Sequence, residues 1–191
     1  MYFWVREDWL LDDTVIGTPD VGHREINFIS GSPIDKTLTT PIVFETSYTA
    51  GAQPHHYFDY GTRIPAVHAT FIEALRGASV DNFEVFPACL KSTEDGTIWQ
   101  DYFALNVIGL VNATDLDNSI YEEIMGGNDE GMPALGVFEA IALYKDKLLP
   151  FDMFREPIGG NLLMSERALE AVAQHYPEGG LGIIAEEVTL T

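Results

Sequence analysis

The sequence predicts an α+β fold: a mixed, largely antiparallel sheet with two or three helices, in a single domain. Three observations predict it. Of the 191 residues, 46% are hydrophobic, enough for a substantial buried core. Helix and strand signals are interspersed rather than strictly alternating, which favours α+β over a doubly wound sheet. No stretch has the composition of a flexible linker.

The elements follow in order. Residues 1–62 form a strand- and loop-rich N-terminal part, with short β-like runs at 2–5, 26–29 and 42–45 among Thr, Pro and Gly. Residues 63–191 are more regular. Pro65 opens a helical pattern in which Val67, Phe71 and Leu75 recur every four residues until Gly77 stops it. A buried strand is predicted over 83–90, with Cys89 as a small buried hydrophobe, and a long central strand over 98–111. Ser119-Ile-Tyr-Glu122 matches a capping box, predicting a short helix to Met125 before Gly126-Gly127. Another strand is expected over 136–143. Ser165 caps a helix whose Leu169, Val172, Ala173 and Tyr176 share a face, and the last strand covers 182–188. Each of the clearer helices is followed by a turn and an apolar strand, which hints at an internal duplication without identity of residues.

Charge narrows the function. Ten Lys plus Arg against thirty Asp plus Glu give a net charge of −20. Such a chain repels nucleic acid and anionic membranes and attracts a partner with a basic surface. The acids are unevenly spread. From Ser92 to Tyr144 there is no Lys, Arg or His, and that interval carries ten acids: Glu94, Asp95, Asp101, Asp115, Asp117, Glu122, Glu123, Asp129, Glu130 and Glu139. Asp115, Asp117, Glu122, Glu123, Asp129 and Glu130 are the candidate partner-binding residues, on a segment expected to protrude from the body. The single cysteine allows no disulfide within the chain. The first residues lack a basic start and an apolar core, and no run of about 18 apolar residues occurs, so a cytoplasmic location is expected.

Catalytic chemistry is thinly represented. His55, His56 and Asp59 are the best metal-ligand candidates, but adjacent imidazoles in an extended segment face opposite ways, and His23, His68 and His175 are scattered. There is no Gly-x-Ser-x-Gly elbow, no phosphate-binding glycine loop and no EF-hand spacing. No catalytic residue and no cofactor is therefore expected.

Four blocks in order carry a family resemblance: Arg63-Ile-Pro-Ala-Val67 with Phe83-Glu-Val-Phe-Pro87; Tyr102-Phe-Ala-Leu-Asn-Val107 followed by Asp115 and Asp117; Pro150-Phe-Asp-Met-Phe-Arg155; and Leu163-Met-Ser-Glu-Arg-Ala-Leu169. Over residues 63–188 the chain resembles immunity protein family 11 of bacterial polymorphic-toxin systems. The resemblance implies a cytoplasmic antitoxin, not an enzyme, that binds and neutralises a cognate secreted or contact-delivered toxin. Many such toxins are nucleases, which fits a basic toxin domain. The residues themselves also leave open a metal-dependent hydrolase using His55, His56 and Asp59, and an acidic scaffold protein of a salt-adapted organism. The Leu105-Asn-Val107 strand with the later Phe154-Arg155 pair is the most specific part, and Phe154-Arg155 reads as a buried Phe beside an Arg paired with a carboxylate.

Overall fold

The computed structural model describes residues 1–8, 15–16, 19–22, 26–59, 64–125, 135–148, 150–177 and 179–191. Its organising element is the first strand, β1 (Tyr2–Glu7), whose apolar run has neighbours on both edges. In chain order the others are β2 (Val15–Ile16), β3 (Ile42–Thr46), β4 (Tyr57–Phe58), β5 (Ala66–His68), α1 (Ala69–Gly77), β6 (Phe83–Ser92), β7 (Ile98–Val107), β8 (Ile120–Met125), β9 (Leu135–Ala140), β10 (Ala142–Leu143), β11 (Met153–Arg155), β12 (Leu162–Ser165), α2 (Glu166–Ala173), β13 (Ile183–Glu187) and β14 (Thr189–Leu190). A single 3-10 turn covers Lys145–Lys147. The fold is α+β, with antiparallel pairings in the majority.

β1 lies between β12 and β13 in the sheet β11-β12-β1-β13, antiparallel to both neighbours. Alternate side chains along a strand face opposite ways, and here both faces are covered. Val5, Met153, Leu162 and Met164 join Phe71, Leu75, Ala168 and Val172 of the two helices in one core. Trp4, Phe154 and Leu163 face the other way, into a second core with Val111, Phe138, Leu143 and Val188. The six-stranded sheet β2-β3-β6-β7-β5-β4 is likewise covered on both faces, Val67, Leu105 and Val107 toward the helices and Phe44, Leu90 and Ala104 toward the Phe28 loop. Its β3–β6 pair is parallel. Cys89 is buried in β6.

The hint of duplication has a geometric counterpart. β5-α1-β6 and β12-α2-β13 are both strand-helix-strand units whose two strands flank one antiparallel strand, β7 in the first and β1 in the second. In each, the last strand residue caps the helix. Ser165 Oγ accepts from the Ala168 N–H at 3.2 Å, and His68 Nδ1 accepts from the Thr70 N–H at 3.2 Å.

Several boundaries differ from the sequence expectation. The helix expected from Pro65 begins only at Ala69, because Ala66 to His68 pair with β7 and the Pro65 carbonyl accepts from Leu105 N–H. After it, Ser79 rather than Gly77 takes the left-handed conformation, at φ 57°. The strand expected over 98–111 stops at Val107, where Ile108 turns to bond the Asn82 carbonyl. The 136–143 strand is broken at Ile141, since β9 pairs with β8 whereas β10 pairs with β14. Residues 26–29 form a turn in which Asn27 Oδ1 accepts from Ile29 N–H.

The largest correction concerns Ser119. The capping-box helix does not form; Ile120 to Met125 are strand β8, paired with β9. Ser119 Oγ donates to the Asp115 carbonyl at 2.6 Å and accepts from Ala142 N–H at 2.9 Å, so it ties the chain to the β10 segment instead of capping a helix. Arg155 also departs from expectation. It is buried and donates from Nη1 to the Gly160 carbonyl at 3.0 Å, but makes no direct ion pair among the described residues; Asp59 and Glu156 act on it only through their fields.

Candidate functional site

The site is built on β8 and β9, a two-stranded antiparallel ribbon that joins no other sheet among the described residues. Tyr121 and Phe138 sit opposite one another, stack at 5.5 Å and belong to the core around Trp4 and Phe154, so they fasten the base of the ribbon to the body. Gly136 N–H reaches the Ile158 carbonyl, and a side chain there would press on Glu122, Tyr121 and Ile158. The turn bearing Ile158 is fixed in its own right. The buried Glu156 carboxylate accepts from the N–H groups of Ile158, Gly159 and Asn161 and from Asn161 Nδ2.

Beyond Tyr121 the ribbon leaves that support. Glu122, Glu123, Ile124 and Met125 are consecutive and all exposed, so neither face of this stretch is covered by the described residues. Ile120 is 57% exposed, Ile124 61%, Met125 49% and Val137 59%. Single exposed hydrophobics are ordinary, but here four fall on one two-stranded arm. Glu122 lies directly opposite Val137, and Asp117, Glu123 and Glu139 are exposed on the same 115–140 segment. The arm therefore offers apolar contact interleaved with carboxylates and no base, the composition that suits an apolar contact with a cationic rim around it.

The six candidate acids separate on this geometry. Glu122 and Glu123 are on β8, and Asp117 is exposed in the turn before it. Asp115 is a correction: at 1% exposure it is an internal anchor, not surface. Its carboxylate accepts from Asn118 N–H and Nδ2 and from Thr191 Oγ1, binding the turn to the C-terminus. Burial works to raise its pKa, yet these hydrogen bonds outweigh it and hold the carboxyl below the usual range. Asp129 and Glu130 lie outside the described residues. Asp95, elsewhere in the base-free interval, accepts from Ala50 and Thr97 N–H groups and serves its own turn.

His55, His56 and Asp59 are not brought together. The His55 ring lies edge-on to Tyr48 and tilted against Phe58. The His56 ring lies tilted against His68, ring centres 4.1 Å apart, with Nδ1 2.8 Å from the Tyr176 hydroxyl. Asp59 takes the Glu7 N–H and the Tyr57 hydroxyl, and burial pushes its carboxyl up. No group of three His, Cys, Asp or Glu side chains converges as metal ligands among the described residues. The geometry thus gives the hydrolase alternative no centre at these positions.

The ribbon hydrophobics are what sequence reasoning missed. A signal existed, since Ile120, Glu122 and Ile124 alternate with Tyr121, but the capping-box spacing of Ser119 and Glu122 masked it.

Comparison with known proteins gives two matches. A stretch of 53 residues, 28% of this chain, is 32% identical to the minor outer capsid protein P2 of Rice dwarf virus (isolate Fujian). The chain spans only 5% of that protein, so the likeness carries no functional argument. The other match runs from β1 through α2, beginning well before the 63–188 region of the sequence resemblance and ending short of its last residues, as expected if the N-terminal strand is integral to the fold. Over residues 2–180 this chain matches the immunity protein family (Imm11), and it belongs to that family.

Proposed function

We propose that this immunity protein neutralises its cognate toxin by laying the β8–β9 ribbon against a basic, nuclease-like toxin domain, in the cytoplasm of the cell it protects. In this reading the protein binds its toxin rather than transforming a substrate. One observation carries the choice of surface: exposed Ile120, Ile124, Met125 and Val137 stand among exposed carboxylates with no base in the segment. The carboxylates steer a cationic domain into place, and the hydrophobics hold it.

The test uses the cognate toxin domain, to be sought first among the products of the genes neighbouring this one. Asp117→Asn, Glu122→Gln and Glu123→Gln together are expected to slow association about tenfold at low ionic strength, with dissociation little changed. The difference is expected to shrink as salt screens the remaining charges. Equal association rates at every salt concentration would refute steering by this face.

A further inference from the structure

A second surface bears on the same partner. β5 pairs with β7 only from Tyr102 to Ala104, so residues 98–101 of β7 run past the end of β5. The loop at 52–56 forms the opposite wall, held in place because the Tyr102 hydroxyl donates to the His55 carbonyl at 2.7 Å. Between them lies a cavity of about 460 Å³, lined among others by Pro54, His56, His68, Trp99, Asp101 and Tyr102.

Its chemistry is one-sided. Asp101 is the one formally charged residue of the lining, which contains no Lys or Arg. Its carboxylate is exposed, and no hydrogen bond or ion pair to it occurs among the described residues. Both imidazoles stay neutral near pH 7. Burial and its two neighbouring imidazoles push His56 down to about 4, and burial lowers His68 against the opposing fields of Asp101 and Glu73. His68 Nδ1 accepts from the Thr70 N–H, so that nitrogen is unprotonated. The cavity thus combines one free carboxylate, the amide oxygens of Gln53 and Gln100, the ring of Trp99 and two uncharged histidines, with the Tyr102 ring buried beneath them. An anion finds no donor charge there, whereas a planar cation finds an acceptor for its fork and rings to stack on.

We propose that this notch receives one arginine side chain of the toxin domain, a contact separate from the ribbon. The source of that arginine rests on the proposed function; the preference of the notch for a guanidinium does not.

The experiment therefore has two arms. In the first, the full-length protein without toxin is titrated with Nα-acetyl-arginine amide and, separately, Nα-acetyl-norleucine amide, following the Trp99 indole and His68 imidazole NMR signals. Saturable shifts are expected with the arginine compound alone, and Asp101→Asn is expected to weaken that binding about fivefold with an unchanged melting curve. In the second, Asp101→Asn is expected to weaken the toxin complex by a similar factor, additively with the ribbon variants. Equal shifts from the norleucine compound, unchanged arginine binding by Asp101→Asn, or an unaltered toxin affinity would each overturn the proposal. Failure of the ribbon as the toxin contact would appear separately, as ribbon variants that bind toxin normally.

Discussion

Replacing Ile124 and Val137 together with alanine is expected to weaken toxin binding about 100-fold while leaving the melting temperature where it was. The argument rests on where these side chains are. Ile124 is 61% and Val137 59% exposed, so neither contributes much burial to the free protein and truncating them opens no cavity. In the complex each would be desolvated at the centre of the contact, where losing a buried aliphatic anchor costs about 1–2 kcal/mol, and two such losses give about 100-fold. The ring of carboxylates around them contributes mainly to encounter, so neutralising Glu122 and Glu123 is expected to change the association rate and the alanine pair the dissociation rate. Calorimetric titration with paired thermal melts separates a lost contact from a lost fold. An affinity within twofold of the unaltered protein would remove the ribbon hydrophobics from the interface.

The opposite pattern is expected at Phe154. Its side chain is fully buried, meets the Tyr2 ring edge-on at 5.4 Å and lies beside Leu163 on β12. Phe154→Ala is expected to cost about 3–5 kcal/mol, because the sheet holding it is packed on both faces and has little room to collapse into the gap. For a domain of this length that corresponds to a fall in melting temperature of roughly 10 °C. Phe154→Leu, which keeps most of the volume, is expected to cost about 1.5 kcal/mol or less. Toxin affinity of the folded fraction is expected to remain unchanged for both, since Phe154 lies in the core beneath the ribbon base and not on its exposed arm. A variant that melts normally but binds poorly would contradict this division.

How far the sequence could be read depended on whether local signals or tertiary pairing decided each element. The α2 helix was legible because its Ser165 cap and apolar face agree with the packing that surrounds it. β6 was legible because residues 83–90 carry no charge apart from Glu84 and are otherwise apolar. Ser119 to Met125 was misread because the capping-box pattern is a local preference, and pairing with β9 together with the Ser119 bonds to Asp115 and Ala142 outweighs it. The start at Pro65 failed for a related reason: Val67 keeps the four-residue spacing with Phe71 but reaches the same core from a strand. The central position of β1 was not legible, since its partners β12 and β13 are more than 150 residues away in the chain.

The candidate site shows the same division. The base-free interval and the exposed placement of Asp117, Glu122 and Glu123 follow from charge patterning. That Asp115 is an anchor for Asn118 and Thr191 could not, because nothing in the local sequence brings the C-terminal residue beside it. The exposure of Ile120 and Ile124 was hidden by the same misreading that made their strand a helix. His56 and His68, twelve positions apart and seemingly scattered, become neighbours because His68 ends β5 and its N–H bonds the His56 carbonyl.

The most direct test of the ribbon as the toxin-binding element is amide hydrogen exchange of this protein, free and in complex with its toxin domain. The strongest new protection is expected over residues 120–125 and 135–140, with the β1 strand at the centre of the fold little altered. Unchanged exchange in both ribbon strands, with protection arising elsewhere on the surface, would contradict it.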